Sequence, residues 1–237
     1  LCEYLLKKGR QVDVIDDLST GSLANVNAII GHEKFRFIRG SVRDREVMED
    51  LIAKCDCVYH LAAAVGVQLI VDSPVHTIET NIHGTEVVLS LANEYKKKVL
   101  LASTSEVYGK NENVPFGEDD DSVLGSTRFS RWSYACSKAI DEFLGFAYYD
   151  QYQLRVTAAR LFNTIGPRQV GHYGMVVPRF VERALQGKSL QVYGTGEQSR
   201  CFCYVGDVVR ALFGLMESDQ TAGIVYNIGS DEEVTID

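Results

Sequence analysis

A chain of 237 residues, 46 % apolar and 24 % charged, has an ordinary globular composition and is long enough to bury a sizeable core. A formal net charge of −8, with no Lys/Arg cluster beyond Lys96-Lys97-Lys98, argues against a nucleic-acid or anionic-membrane surface, and no apolar run approaches the ~20 residues of a membrane span. Six cysteines without a Cys-x-x-Cys pair and five scattered histidines speak against a metal site; Cys55/Cys57 and Cys201/Cys203 read as reduced core thiols, each pair on one face of an apolar strand.

In chain order, the pattern opens on a helix, Leu1 to Lys8, closed by Gly9. A strand follows, Gln11 to Asp16, ending in two acids. At a strand's carboxyl end Asp16 is placed to accept hydrogen bonds from an adenosine ribose diol and to repel a 2′-phosphate, which favours NAD over NADP; Asp16 and Asp17 read equally as turn acids before Gly21. Phe35 to Ile38 is a second strand, and Asp44 caps a helix carrying Val47, Met48, Leu51 and Ile52 on one side. The strand Cys55 to Ala62 ends in His60-Leu61-Ala62-Ala63, small residues that leave room for a flat cofactor or simply finish a core strand. Pro74 opens a long helix carrying Ile78, Ile82, Val87, Val88 and Leu91. Further strands are expected at Val99 to Ser103, Arg155 to Phe162, Leu190 to Tyr193, Cys201 to Val205 and Val225 to Ile228. Strand alternating with helix through the first ~160 residues implies an α/β fold with a doubly wound parallel sheet. After Asn163 the rhythm breaks, and long polar loops, 110–133 and 164–175, flank the helix of Tyr134 and the last regular strand. The expected division is a nucleotide-binding domain over 1–163 and a smaller substrate domain, mainly over 164–237, with some segments returning to the first.

Two motifs carry chemistry. In Tyr134-Ala135-Cys136-Ser137-Lys138 the i, i+4 spacing puts phenol and ammonium on one helix face. A free phenol titrates near ~10 and a lysine near ~10.4, so a cation beside the phenol favours phenolate and makes a usable base. Upstream, the buried-strand pattern Val99-Leu100-Leu101-Ala102 runs into Ser103-Thr104-Ser105-Glu106-Val107-Tyr108-Gly109, hydroxyls and a carboxylate at a strand end. Strand ends and following helices meet at the edge where doubly wound folds place ligands.

With these motifs in order, together with Asn81, Arg160-Leu161-Phe162-Asn163 and Gly194 to Val205, the chain resembles the extended short-chain dehydrogenase/reductases, specifically the NAD-dependent nucleotide-sugar epimerases, dehydratases and decarboxylases. The resemblance implies a Rossmann-type domain and an internal piece of a longer protein: members begin with a first strand and glycine-rich turn, absent here, and continue past the equivalent of Asp237, so the substrate domain is incomplete too. It implies NAD contacts from Asp16, Asp17, Ser41, Val42, Leu61, Ala62, Ala63, Asn81, Ser103, Tyr134 and Lys138. Ser41-Val42 stands where many relatives carry an acid for adenine. Tyr134 would take the proton from a sugar 4-hydroxyl while the C4 hydride passes to NAD, Thr104 would hydrogen-bond that oxygen, and Lys138 would lower the tyrosine pKa and hold the nicotinamide ribose. Arg200 and Asn163 would grip the sugar diphosphate, Arg by its fork geometry.

Glu106 separates the reactions within the resemblance. Plain 4-epimerases usually carry no acid there; dehydratases and decarboxylases do, to move protons around the 4-keto intermediate. Thr104-Ser105-Glu106 and the run Arg160 to Arg168 lean towards UDP-glucuronate decarboxylase, although the loop Val65 to Ser73, expected to face the sugar, departs from that pattern. UDP-glucose 4-epimerase and nucleotide-sugar 4,6-dehydratase are the alternative reactions, and a non-catalytic dinucleotide-binding regulator the alternative class. A homodimer is expected through the helix after Pro74 and the helix of Tyr134, with a cytoplasmic, reducing location.

Overall fold

The computed structural model describes residues 1–169 and 175–237, without the side chains of 67–69. From the amino terminus, α1 (Cys2–Lys7) leads into β1 (Val12–Asp16), β2 (Phe35–Arg39), α2 (Arg45–Lys54), β3 (Cys57–His60), α3 (Val67–Asp72) and α4 (Pro74–Glu94). Then follow β4 (Lys98–Thr104), α5 (Trp132–Tyr152), β5 (Val156–Leu161), β6 (Asn163–Ile165), α6 (Val176–Leu185), β7 (Ser199–Tyr204), α7 (Val205–Glu217), β8 (Ile224–Ile228) and β9 (Glu233–Thr235).

Every pairing among β1 to β5 and β8 is parallel: β1 with β2 in one sheet, and β3-β4-β5-β8 in a second. Parallel strands need crossovers, and buried crossovers need helices on both faces. β4 shows how the sequence meets that demand. Val99 and Leu101 face a cluster with Met48 and Ile52 of α2 and Val88, Leu89, Leu91 and Ala92 of α4, whereas Leu100 between them faces Val208, Leu212 and Met216 of α7. A third cluster joins Leu5 and Leu6 of α1 to Val12 and Phe35, and Tyr59 and Phe213 from the larger sheet's side pack against it. α5 approaches the sheet at Gly145, where a Cβ would stand 2.7 Å from Leu101 Cδ1.

The local signals act as read: Asp44 Oδ1 accepts from Val47 N at 3.3 Å, Pro74 occupies the first turn of α4, and Gly9 takes φ +77° after α1. Four expectations are corrected. Leu190 to Tyr193 is not a strand; Leu190, Val192 and Tyr193 are 49 %, 39 % and 59 % exposed, and among the described residues the apolar alternation has no partner strand to bury it. Residues expected as the loop Val65 to Ser73 include α3. The rhythm does not break after Asn163: β6-α6-β7-α7-β8 continues it, with α7 and β8 joining the four-stranded sheet and β6-β7-β9 forming a separate three-stranded one. The thiols are not all core: Cys203 is buried, Cys57 and Cys136 are exposed, and β3 begins only at Cys57. Of the expected loop 164–175, residues 170–174 lie outside the described residues.

Candidate functional site

The residues marked out by the sequence gather at strand carboxyl ends. Asp16 closes β1, Ser41 and Val42 follow β2, Leu61 to Ala63 follow β3, Ser103 and Thr104 close β4, and Asn163 follows β5. Within each sheet the parallel pairing puts these terminal carbonyls and their loops at one edge, β1 with β2 and β3 with β4 and β5.

At β1, Asp16 is exposed and its Oδ1 accepts from Leu18 N at 2.7 Å, while Asp17 Oδ1 accepts from Ser19 N at 2.9 Å. Burial raises the Asp17 carboxyl, but Ser19, His76 and Arg43 outweigh it and hold the pKa below the usual value. After β2, Ser41 Oγ accepts from Arg43 N, whereas Val42 is turned into the core. After β3, Leu61 is 43 % exposed and the two alanines half-buried. Their loop is held by Asn81: 1 % exposed, its Oδ1 accepts from Ala64 N at 2.7 Å and its Nδ2 donates to Ser137 Oγ at 3.1 Å. Asn81 therefore fixes the strand end to α4 and α5 with its own amide.

The centre lies between β4 and α5. Tyr134, in the first turn of α5, is 6 % exposed. Burial first, then the charges of Glu106 and Asp141, push its phenol well above the ordinary value, against which Thr104 acts as the hydrogen-bond partner that favours phenolate. Thr104 Oγ1 also accepts from Glu106 N at 3.2 Å, starting the 3-10 turn Ser105–Tyr108. Glu106 keeps surface open to solvent, yet protein atoms crowd its carboxyl; that desolvation raises its pKa and Arg131 counters it. Lys138 is one turn beyond Tyr134, and its Nζ donates to Asp141 Oδ2 at 2.8 Å with both side chains buried. The cation that the spacing alone assigned to the phenol is thus paired with a carboxylate.

Beneath them, Glu142 accepts from Ser103 Oγ and takes Arg160 Nη2 at 2.8 Å, and Arg160 Nη1 donates to Tyr108 Oη at 2.8 Å and Glu118 O at 2.9 Å. Tyr108 in turn donates to Asn227 Oδ1 at 2.7 Å and stacks on Phe116. This buried network moors the 110–131 segment to β4, β5 and β8. The remaining two expected residues lie on the small sheet: Asn163 Nδ2 donates to Cys201 O at 3.2 Å, and Arg200, exposed in β7, donates from Nη1 to Ser199 O at 2.6 Å.

Sequence reading missed Asp141, Glu142 and Arg131. The two acids stand within a helix read for its apolar stripe, and consecutive acids on a face otherwise filled by Ala135, Ser137 and Gly145 were the available signal.

A family model described as the NAD dependent epimerase/dehydratase family matches residues 1–229. A UDP-N-acetyl-alpha-D-glucosaminuronate decarboxylase of Bacillus cytotoxicus is 43 % identical over 237 residues, covering 100 % of this chain and 72 % of the relative. UDP-glucuronic acid decarboxylase 1 of Xenopus tropicalis is 39 % identical, covering 100 % of this chain and 54 % of its own length, so the chain spans about half of that relative. Among solved structures, UDP-glucose 4-epimerase of Thermotoga maritima, solved with UDP-glucose, aligns with TM-score 0.89 at 32 % identity over 99 % of this chain and 74 % of that one.

Proposed function

The chain belongs to the NAD dependent epimerase/dehydratase family, and on that premise we propose that it forms part of an NAD-dependent enzyme that oxidises C4 of a UDP-sugar and decarboxylates UDP-glucuronate. The observation that carries the choice of reaction is Glu106, a carboxyl of raised pKa on the turn after β4, beside a buried phenol. The decarboxylase relatives support the same choice.

The donor set fits a dinucleotide: an exposed acid at the end of β1, small residues at the end of β3, and a phenol with an ammonium on one face of α5. Asp16 would take the adenosine ribose, with Asp17 and Ser41-Val42 beside the adenine end; the Leu61 to Ala63 backbone, braced by Asn81, would bound the middle; Ser103, Tyr134 and Lys138 would border the nicotinamide end. When bound, NAD supplies the acceptor of the C4 hydride and its later donor. Tyr134 takes the proton from the sugar 4-hydroxyl, and Thr104 donates to that oxygen as it becomes a carbonyl. A uronic acid with a C4 ketone is a β-keto acid, so its C5–C6 bond breaks with release of CO2, leaving the electron pair in an enolate across C4 and C5. Glu106, whose pKa is raised by desolvation, is the acid that donates the proton C5 then requires. Asn163 and Arg200 hold the diphosphate. In this reading 1–163 is the cofactor half and 164–237 mainly the substrate half, with α7 and β8 returning to the first.

The test is CO2 release by the full-length protein from UDP-glucuronate, with UDP-N-acetylglucosaminuronate and UDP-glucose as competing substrates. Decarboxylation of either uronate supports the reaction and ranks the sugar; epimerised UDP-glucose without CO2 release replaces it by 4-epimerisation. Tyr134→Phe excludes a regulator if turnover falls by orders of magnitude while NAD still binds. We further infer a homodimer through α4 and α5, supported by Val75, Ile78, Ile140 and Phe143 standing 66 %, 38 %, 42 % and 73 % exposed on them. The free cysteines support a reducing, cytoplasmic setting.

A further inference from the structure

One carboxylate at the centre has no part in the chemistry above. Asp141 stands one turn beyond Lys138 on α5, 2 % exposed, and its Oδ2 accepts from the lysine Nζ at 2.8 Å. Its Oδ1 is buried without a hydrogen bond of its own. Across the α4 interface the Thr85 hydroxyl, paired with His60 Nε2 at 3.1 Å, favours the charged form of Asp141, and Glu142 on the same helix opposes it. Glu142 is itself neutralised by Arg160 of β5, and His60 of β3 is held neutral by burial, so among the described residues Lys138 is the cation that faces Asp141.

We propose that Asp141 is a positioning residue that anchors the Lys138 ammonium and offsets its charge, and thereby sets the pH at which Tyr134 becomes a base. The inference rests on the reading of Tyr134 as that base. Two buried charges in contact nearly cancel at a distance, so Tyr134, one turn before Lys138 on α5, feels much less positive potential than an unpaired lysine there would give. The Asp141 charge also acts on Tyr134 directly, raising it, in the same direction as Glu106 from the turn after β4. Removing the carboxylate but not its shape removes the negative charge that raises Tyr134 and leaves Lys138, one turn further along α5, uncompensated; both changes favour phenolate.

The experiment uses the full-length protein with NAD added, and reads Tyr134 ionisation as near-ultraviolet phenolate absorbance relative to Tyr134→Phe. In Asp141→Asn the midpoint should move down by about half a pH unit or more, and the acidic limb of kcat/KM should move the same way. Asp141→Glu, which keeps the charge, should restore the wild-type midpoint, a recovery that a purely packing role would not produce. An unmoved or raised midpoint in folded Asp141→Asn overturns the proposal. Should that variant not fold, Asp141→Glu decides: a wild-type midpoint supports the proposal and a displaced one overturns it. Because absorbance needs no turnover, a wild-type protein inactive on every uronate would remove the decarboxylase reading while leaving the Asp141 result intact.

Discussion

At Tyr134 two opposed influences meet, and each has an address in the sequence. Burial, Glu106 and Asp141 favour the neutral phenol; the Thr104 hydroxyl favours phenolate. A base must be deprotonated to act, so its raised pKa places an acidic limb on the kcat/KM profile, with activity rising as pH rises. Thr104→Val removes the one favourable hydrogen bond, so the limb should move to higher pH, by about one unit, and turnover at neutral pH should fall. A pH–rate series on the uronate substrate checks the direction; a limb moved down would show that Thr104 does not act on the phenol. Of the groups around Tyr134, Thr104, Glu106 and Lys138 were legible because strand-end hydroxyls and an i, i+4 pair are local patterns. Asp141 was not, because burial and the direction of Lys138 depend on how α5 lies against α4 and β4.

Between elements, the Glu142–Arg160 pair joins α5 to β5 and, through Tyr108 and Glu118, to the long segment before α5. Arg160 lies 8 % exposed, so truncating its partner leaves a buried guanidinium and the Ser103 hydroxyl without their acceptor. Glu142→Ala should therefore cost about 3–5 kcal/mol in denaturant unfolding, and loss of under about 1 kcal/mol would mean that water replaces the carboxylate. The same fold logic explains the elements misread. Leu190 to Tyr193 has strand-like alternation, but a strand is completed by a hydrogen-bonded neighbour, and none of the described residues supplies one there. Conversely β6 and β9, three residues each, are too short to leave a pattern of their own and exist because β7 lies between them.

For the whole molecule, pH and self-association give two measurable consequences. Burial holds His60 at a pKa of about 3, far below the ordinary 6.5. The unfolded chain therefore binds a proton near pH 6.5 that the native state refuses, and stability is lost as pH falls from there towards 3, by about 1.4 kcal/mol per unit from this group. His60→Gln should flatten the stability–pH slope relative to wild type in that window, and superimposable slopes would mean that the imidazole reaches water. In the proposed dimer, Phe143→Glu places a charge on the most exposed aromatic of α5; sedimentation should then show monomer where wild type shows dimer.

The sequence by itself determined the α/β alternation, the parallel sheet, the family resemblance and the strand-end and helix motifs, because periodicity, caps and spacing act over a few residues. Only the tertiary structure decided that Lys138 is held by Asp141, that Asn81 braces the loop after β3, that Arg160 anchors the segment before α5, and that the strand–helix rhythm runs on past Asn163. Each of these depends on groups distant in the chain meeting in low dielectric, where a charge must find a partner and a backbone strand a neighbour.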